Sequence, residues 1–145
     1  MAAPLSETLH ATTVAINGRA LMLTGPSGSG KSDLALRLID RGATLVSDDY
    51  TLVEKAGREV LASPPATIAG RMEVRGIGIV AMDHLSGVPV ALMIGLIQAY
   101  DRMPEGPDMR MVAGIEIPSI TLSALEASAP IKVEYALMAF GLNAD

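Results

Sequence analysis

Apolar and polar positions alternate near the start of the chain. Thr12, Val14 and Ile16 share one side, Asn17-Gly18 follows, and residues 19–24 resume as an apolar run. Strands flanking an Asn-Gly pair predict a β-hairpin, because that pair readily takes the positive φ angles that a two-residue turn needs. The period then changes. Within residues 32–42 (SDLALRLIDRG), Leu34, Ala35, Leu38 and Ile39 fall on one helical face, and Gly42 supplies a stop. Residues 43–46 predict a short buried strand ending in Ser47-Asp48-Asp49. Residues 50–53 and 59–61 flank Lys55-Ala56-Gly57 and predict a second, exposed hairpin, after which residues 63–69, with Pro64-Pro65, predict loop. Further strands are expected over 76–82, 88–96 and 112–117. A last helix is expected over 131–140, with Pro130 before it and Gly141 after it. The fold class is therefore α/β, with more strand than helix.

The segment between the first hairpin and the first helix carries the chemistry. It reads GPSGSGKS, with Gly25, Gly30, Lys31 and Ser32 at the spacing of a phosphate-binding loop, in the strand-loop-helix context that this motif requires. Gly28 and Gly30 can take positive φ, so that the loop from Gly25 through Pro26, Ser27 and Ser29 would turn its available backbone N–H groups inward around a polyphosphate, aided by the helix dipole. Lys31 would add a point charge on the β and γ phosphates, and Ser32 a hydroxyl oxygen for magnesium. A Gly/Ser turn that merely starts a helix is the plain alternative; chance produces these four positions in such a chain only roughly a few times per thousand. The motif speaks of phosphate and leaves the reaction open. Asp48 and Asp49, at a strand end where ligands of open α/β sheets gather, could divide metal binding and proton acceptance between them, or could be a solvated turn.

Composition narrows the options. The 145 residues suit one domain, and with 50% apolar and 19% charged residues the chain is no disordered segment. One Phe, three Tyr and no Trp make the expected core aliphatic, with the nine Met read as gap-filling core residues. The absence of Cys excludes disulfides, thiolate catalysis and Cys-ligated zinc. A net charge of −5 disfavours nucleic acid and anionic membrane as partners. The beginning of the chain lacks the basic and apolar regions of a signal peptide, so a cytoplasmic location is expected.

TLHATT, GPSGSGKSDLALRLIDRG, LVSDD, MEVRGIGI and YDR occur in an order and spacing that resemble the catalytic domain of bacterial HPr kinase/phosphorylase, over nearly the whole chain from Leu9 to Phe140. The resemblance implies a P-loop-containing mixed sheet with flanking helices, like the nucleotide core of phosphoenolpyruvate carboxykinase. It implies an ATP- and Mg2+-dependent kinase acting on a seryl hydroxyl of HPr, the small phosphocarrier of the phosphotransferase system, reversible by phosphorolysis. Carried over, Lys31 would bind phosphates, Ser32 and Glu73 would hold magnesium, and Asp49 would be the seryl base with Asp48 beside it. His10, Arg75 and Arg102 would belong to the catalytic site, and a homo-oligomer, a hexamer in the family, is implied. Without the resemblance His10 reads as an ordinary histidine, Glu73 and Arg75 as a surface pair, and Arg102 as a solvated loop charge. His84 has no counterpart.

The chain departs from the family pattern in three places. It starts within a few residues of the kinase core, and it ends soon after the last helix, where family members add helical sequence that helps dock HPr. After IEIPSITL, Ser123, Ala124, Leu125, Glu126, Ala127 and Ser128 replace a basic stretch tied to dephosphorylation, so kinase activity is expected to exceed phosphorolysis. Two rivals remain on sequence grounds: a small-molecule kinase or ATPase, and a nucleotide-sensing regulator without transfer.

Overall fold

In a computed structural model, residues 5–97 and 106–143 are described. The elements run β1 (Ser6–Leu9), β2 (Ala11–Ile16), β3 (Arg19–Thr24), α1 (Lys31–Asp40), β4 (Thr44–Ser47), β5 (Thr51–Ala56), β6 (Glu59–Ser63), β7 (Arg71–Val74), β8 (Gly78–Ala81), β9 (Val88–Leu96), β10 (Asp108–Val112), β11 (Ile115–Leu122) and α2 (Ala129–Phe140). The main sheet follows β1-β5-β6-β9-β3-β2-β4, with β11 also on β9 and β10 on β11; β7 and β8 pair separately. β3, β9 and β11 are parallel neighbours. β4 runs the same way, because β3 and β4 are each antiparallel to β2. Four strands thus deliver their C-terminal ends to one edge.

Both faces of this sheet are buried. Val14, Leu21, Leu23, Leu92, Ile94 and Leu96 pack with Leu34 and Leu38 of α1 and Val133 and Leu137 of α2. On the other side Ala15, Ala20, Met22, Val46, Val53, Val60, Val90, Met93 and Ile117 form a second core as the sheet curls over itself. The strand register explains how one chain serves both. β3 and β9 slip by one residue between Ala20 and Leu21, so Val90 faces the curled side while Leu92 faces the helices. Small residues at Ala11, Ala15 and Ala20 let the curled layers approach.

Several expectations needed correction. The second hairpin keeps Lys55 and Ala56 in β5, and Val53, Val60 and Ala62 are fully buried, so only its tip is exposed. The strand expected over 76–82 is shorter, since Gly76 and Ile77 form the turn of the β7–β8 hairpin. The strand expected over 112–117 breaks at Ala113-Gly114 into the β10–β11 hairpin, and Ala113 takes φ 47°. β11 continues through Pro118; β11 begins pairing with β9 only at Ser119, so proline's missing donor falls outside that ladder. α2 starts at Ala129, with Pro130 inside its first turn, where a missing N–H costs nothing. Met22, Met72 and Met93 are core residues, but Met109, Met111 and Met138 are exposed.

α1 is also tied to the chain after β11. Arg37 of α1 donates to the carbonyls of Ala124 (2.6 Å) and Glu126 (3.2 Å), while Arg41 makes a two-pronged ion pair with Glu134 of α2 at 2.6 and 3.0 Å. That guanidinium's hydrogen bonds hold the Glu134 carboxyl below its ordinary value. Among the described residues, no helix is long and apolar enough to cross a membrane.

Candidate active site

The loop of residues 25–30 leaves β3 at the sheet edge and enters α1. Gly25 has φ 146°, and a Cβ there would lie 2.7 Å from Ser29 Oγ and 3.1 Å from the Leu96 carbonyl, so no side chain fits. Gly30, the N-cap of α1, has φ 98°, and its Cβ would meet that of Ala124 at 3.0 Å. The ends of β9 and β11 therefore wall the loop. Lys31 is almost fully buried, and its ammonium donates to the carbonyls of Gly25 (2.8 Å) and Pro26 (3.1 Å). Ser29 Oγ is buried with no hydrogen-bond partner among the described residues. An unsatisfied buried hydroxyl costs about 1–3 kcal/mol.

The two aspartates have opposite surroundings. Asp48 is 7% exposed, and its carboxylate accepts from Ser32 Oγ at 2.6 Å, Thr12 Oγ1 at 3.2 Å and the Glu73 backbone N–H at 3.1 Å. Asp49 points outward; its side chain is 58% exposed, and Oδ1 lies 2.8 Å from His10 Nε2, whose N–H donates to it. The divergence has a backbone cause. Asp49 has φ 68°, and the Tyr50 N–H bonds the Asp48 carbonyl at 2.7 Å, so the turn is a γ-turn of the rarer positive-φ kind. Thr12, fully buried, joins the pair: its hydroxyl donates to Asp48 and accepts from the Asp49 N–H at 3.0 Å.

The β7–β8 hairpin closes the third side. Met72 plugs into the helix-side core, and the cleft between this hairpin, the loop and the aspartates has a volume of about 530 Å³. Ser27, Gly28, Gly30, Lys31, Ser32, Asp48, Asp49, Glu73 and Arg75 all line it. Gly25, Pro26 and Ser29 shape the loop from behind, and His10, at the bend between β1 and β2, reaches the cleft through Asp49. Arg102 lies outside the described residues. Among the described residues no group of three or more His, Cys, Asp or Glu could cage a metal. Ser32 and Glu73 instead offer hard oxygen donors of the kind magnesium takes while sharing phosphate oxygens. Sequence reasoning missed Thr12 and Tyr50 as site residues. Thr12 stands in β2, two positions after His10 at the bend, and its alternation with Val14 marked it only as a strand residue.

Comparison with known proteins gives the chain a family. The model of the HPr Serine kinase C-terminal domain matches residues 3–144. The chain belongs to the HPr serine kinase C-terminal domain family. Within that family, it is 37% identical over 128 residues to an HPr kinase/phosphorylase of Alkaliphilus metalliredigens, an alignment covering 79% of this chain and 41% of the relative. It is 33% identical over 140 residues to an HPr kinase/phosphorylase of Lactobacillus acidophilus, covering 88% of this chain and 41% of that protein. This HPr serine kinase C-terminal domain thus spans about two fifths of those relatives' length. A solved structure of the Hpr(Ser) kinase/phosphatase from Coxiella burnetii superposes with a TM-score of 0.78 at 27% identity, covering 91% of this chain and 88% of that one. The mixed, curled sheet is the fold of the family.

Proposed function

We propose that this domain is an ATP- and Mg2+-dependent kinase that phosphorylates a seryl hydroxyl of an HPr-type phosphocarrier protein. One observation carries the reading: Ser32 of the phosphate loop is bonded to a buried Asp48, while Asp49 stands exposed on the same cleft. That geometry divides the two carboxylates. Asp48, filled by three donors, orients Ser32 and the Glu73 backbone, and so belongs to the metal and phosphate side. Among the described residues nothing bonds Asp49 Oδ2, which leaves that oxygen to accept the proton of an incoming hydroxyl.

The loop N–H groups and Lys31 would hold the polyphosphate, with Lys31 exchanging its two carbonyl partners for phosphate oxygens. Ser32 and Glu73 would hold magnesium, which when bound draws charge from the transferring group. The seryl oxygen attacks the γ phosphorus as its proton passes to Asp49, the bond to the bridging oxygen breaks, and ADP leaves. Arg75 at the rim, with Arg102, would steady the charge on the transferring oxygens.

The relatives named HPr kinase/phosphorylase support a protein substrate over a small metabolite. The same reading carries a cytoplasmic location and a homo-oligomer. Phosphorolysis is the weaker direction here, since the stretch after β11 offers Glu126, already paired with Lys132 at 2.9 Å, in place of a basic loop. The test is incubation with ATP, magnesium and an HPr-type carrier, followed by intact mass and site mapping. One phosphoryl group on a carrier serine, absent with Lys31→Ala, is expected. ATP binding without transfer would favour a nucleotide-sensing regulator.

A further inference from the structure

The residue after the aspartate pair lies outside every motif, yet the structure gives it three contacts around the candidate base. The ring of Tyr50 stacks on that of His10, with centroids 5.1 Å apart and planes 26° from parallel. Its backbone N–H closes the turn onto the Asp48 carbonyl, and its carbonyl accepts from the Ser47 hydroxyl. We propose that Tyr50 is a positioning residue, whose ring holds His10 so that His10 keeps the Asp49 carboxylate aimed into the cleft. This rests on the reading of Asp49 as the seryl base.

What Asp49 lacks is restraint. Asp49 is exposed and stands on a positive-φ backbone, and among the described residues its carboxylate bonds only His10. His10 in turn sits at a bend between two strands with a side chain 40% exposed, and among the described residues its ring hydrogen-bonds only that carboxylate. A hydrogen bond between two half-exposed side chains leaves both free to rotate together. The Tyr50 face removes that freedom, because stacking fixes the plane of the imidazole while the hydrogen bond fixes its edge. The brace is anchored through the backbone: the turn that presents Asp49 is the one that holds Tyr50, so ring, imidazole, carboxylate and peptide form a closed circuit around a half-exposed tyrosine.

Tyr50→Leu and Tyr50→Ala remove the aromatic face, and Tyr50→Phe keeps it. With the phosphocarrier assay, we expect kcat to fall roughly tenfold in the Leu and Ala variants, because a base swinging out of alignment loses near-attack geometry. KM for ATP and the thermal midpoint should stay within error, and Tyr50→Phe should restore turnover. A second readout needs no turnover. The chain has only two histidines, so the His10 ring protons are readily assigned by NMR; the tyrosine ring current should shift them upfield in the wild type and in Tyr50→Phe, and that shift should vanish in the other two. An unchanged His10 resonance in Tyr50→Leu, wild-type kcat in that variant, or a Phe variant as slow as the Leu variant would overturn the proposal. If the wild type transferred no phosphate, the base assignment would fall, while the resonances would still decide whether Tyr50 holds His10.

Discussion

At the residue scale, Asp48 and Asp49 show how adjacency in sequence can mean opposite surroundings, one carboxylate buried under three donors and the other exposed beside His10. The strand pleat alone would turn them to different sides; the γ-turn at Asp49 widens that difference by putting its backbone at φ 68°. A non-glycine residue held there stores strain of about 1–3 kcal/mol, and the Thr12 hydroxyl and the Tyr50 amide are what hold it. Asp48→Asn separates the roles. The amide can no longer accept from Ser32, Thr12 and the Glu73 N–H together, so magnesium-supported nucleotide binding should weaken by roughly 10–100-fold. Binding of nucleotide without metal should change little. Titration calorimetry with and without magnesium reads both, and identical weakening in the two conditions would remove Asp48 from the metal side.

At the element scale, the site depends on four strand ends and one hairpin. β3 supplies the phosphate loop, β4 the aspartates, β9 and β11 the wall behind the loop, and the β7–β8 hairpin the opposite rim. Gly30 is where these meet. It caps α1 in a left-handed conformation and abuts Ala124, so Gly30→Ala imposes both backbone strain and a 3.0 Å contact. A loss of about 1–3 kcal/mol in denaturant unfolding is expected, together with weaker nucleotide binding. A variant as stable as the wild type would mean the loop can move away from β11. α1 was legible in the sequence because one side of it alone is apolar, and Gly42 stops it. The β10–β11 turn was not: Ala113 gives no sign of the positive φ it adopts, and its apolar neighbours Val112 and Ile115 read as one strand. Pro130 misled in the opposite direction, since a proline before a helix and one in its first turn look alike in sequence.

At the scale of the whole molecule, the sheet buries both faces by curling, and periodicity alone cannot show this. Residues 19–24 and 88–96 announced themselves as strands, whereas the burial of Val53, Val60 and Ala62 depends on a partner layer formed by residues distant in the chain. The candidate site was legible wherever a residue type carries its chemistry locally: the glycines, Lys31, Ser32 and the aspartates. Thr12 was not, because a buried threonine in a strand looks the same whether or not a carboxylate waits across the sheet. The antiparallel ladder between β2 and β4 brings His10 and Thr12 to the aspartates across more than thirty positions. Asp49, as the proposed acceptor of the seryl proton, is the residue on which the proposed function turns. Single-turnover transfer to an HPr-type carrier by Asp49→Asn, beside a nucleotide-binding measurement on the same variant, tests this most directly. Nucleotide affinity like that of the wild type with transfer slowed by roughly 10²–10⁴-fold is the predicted result. Transfer at a near-wild-type rate would contradict it.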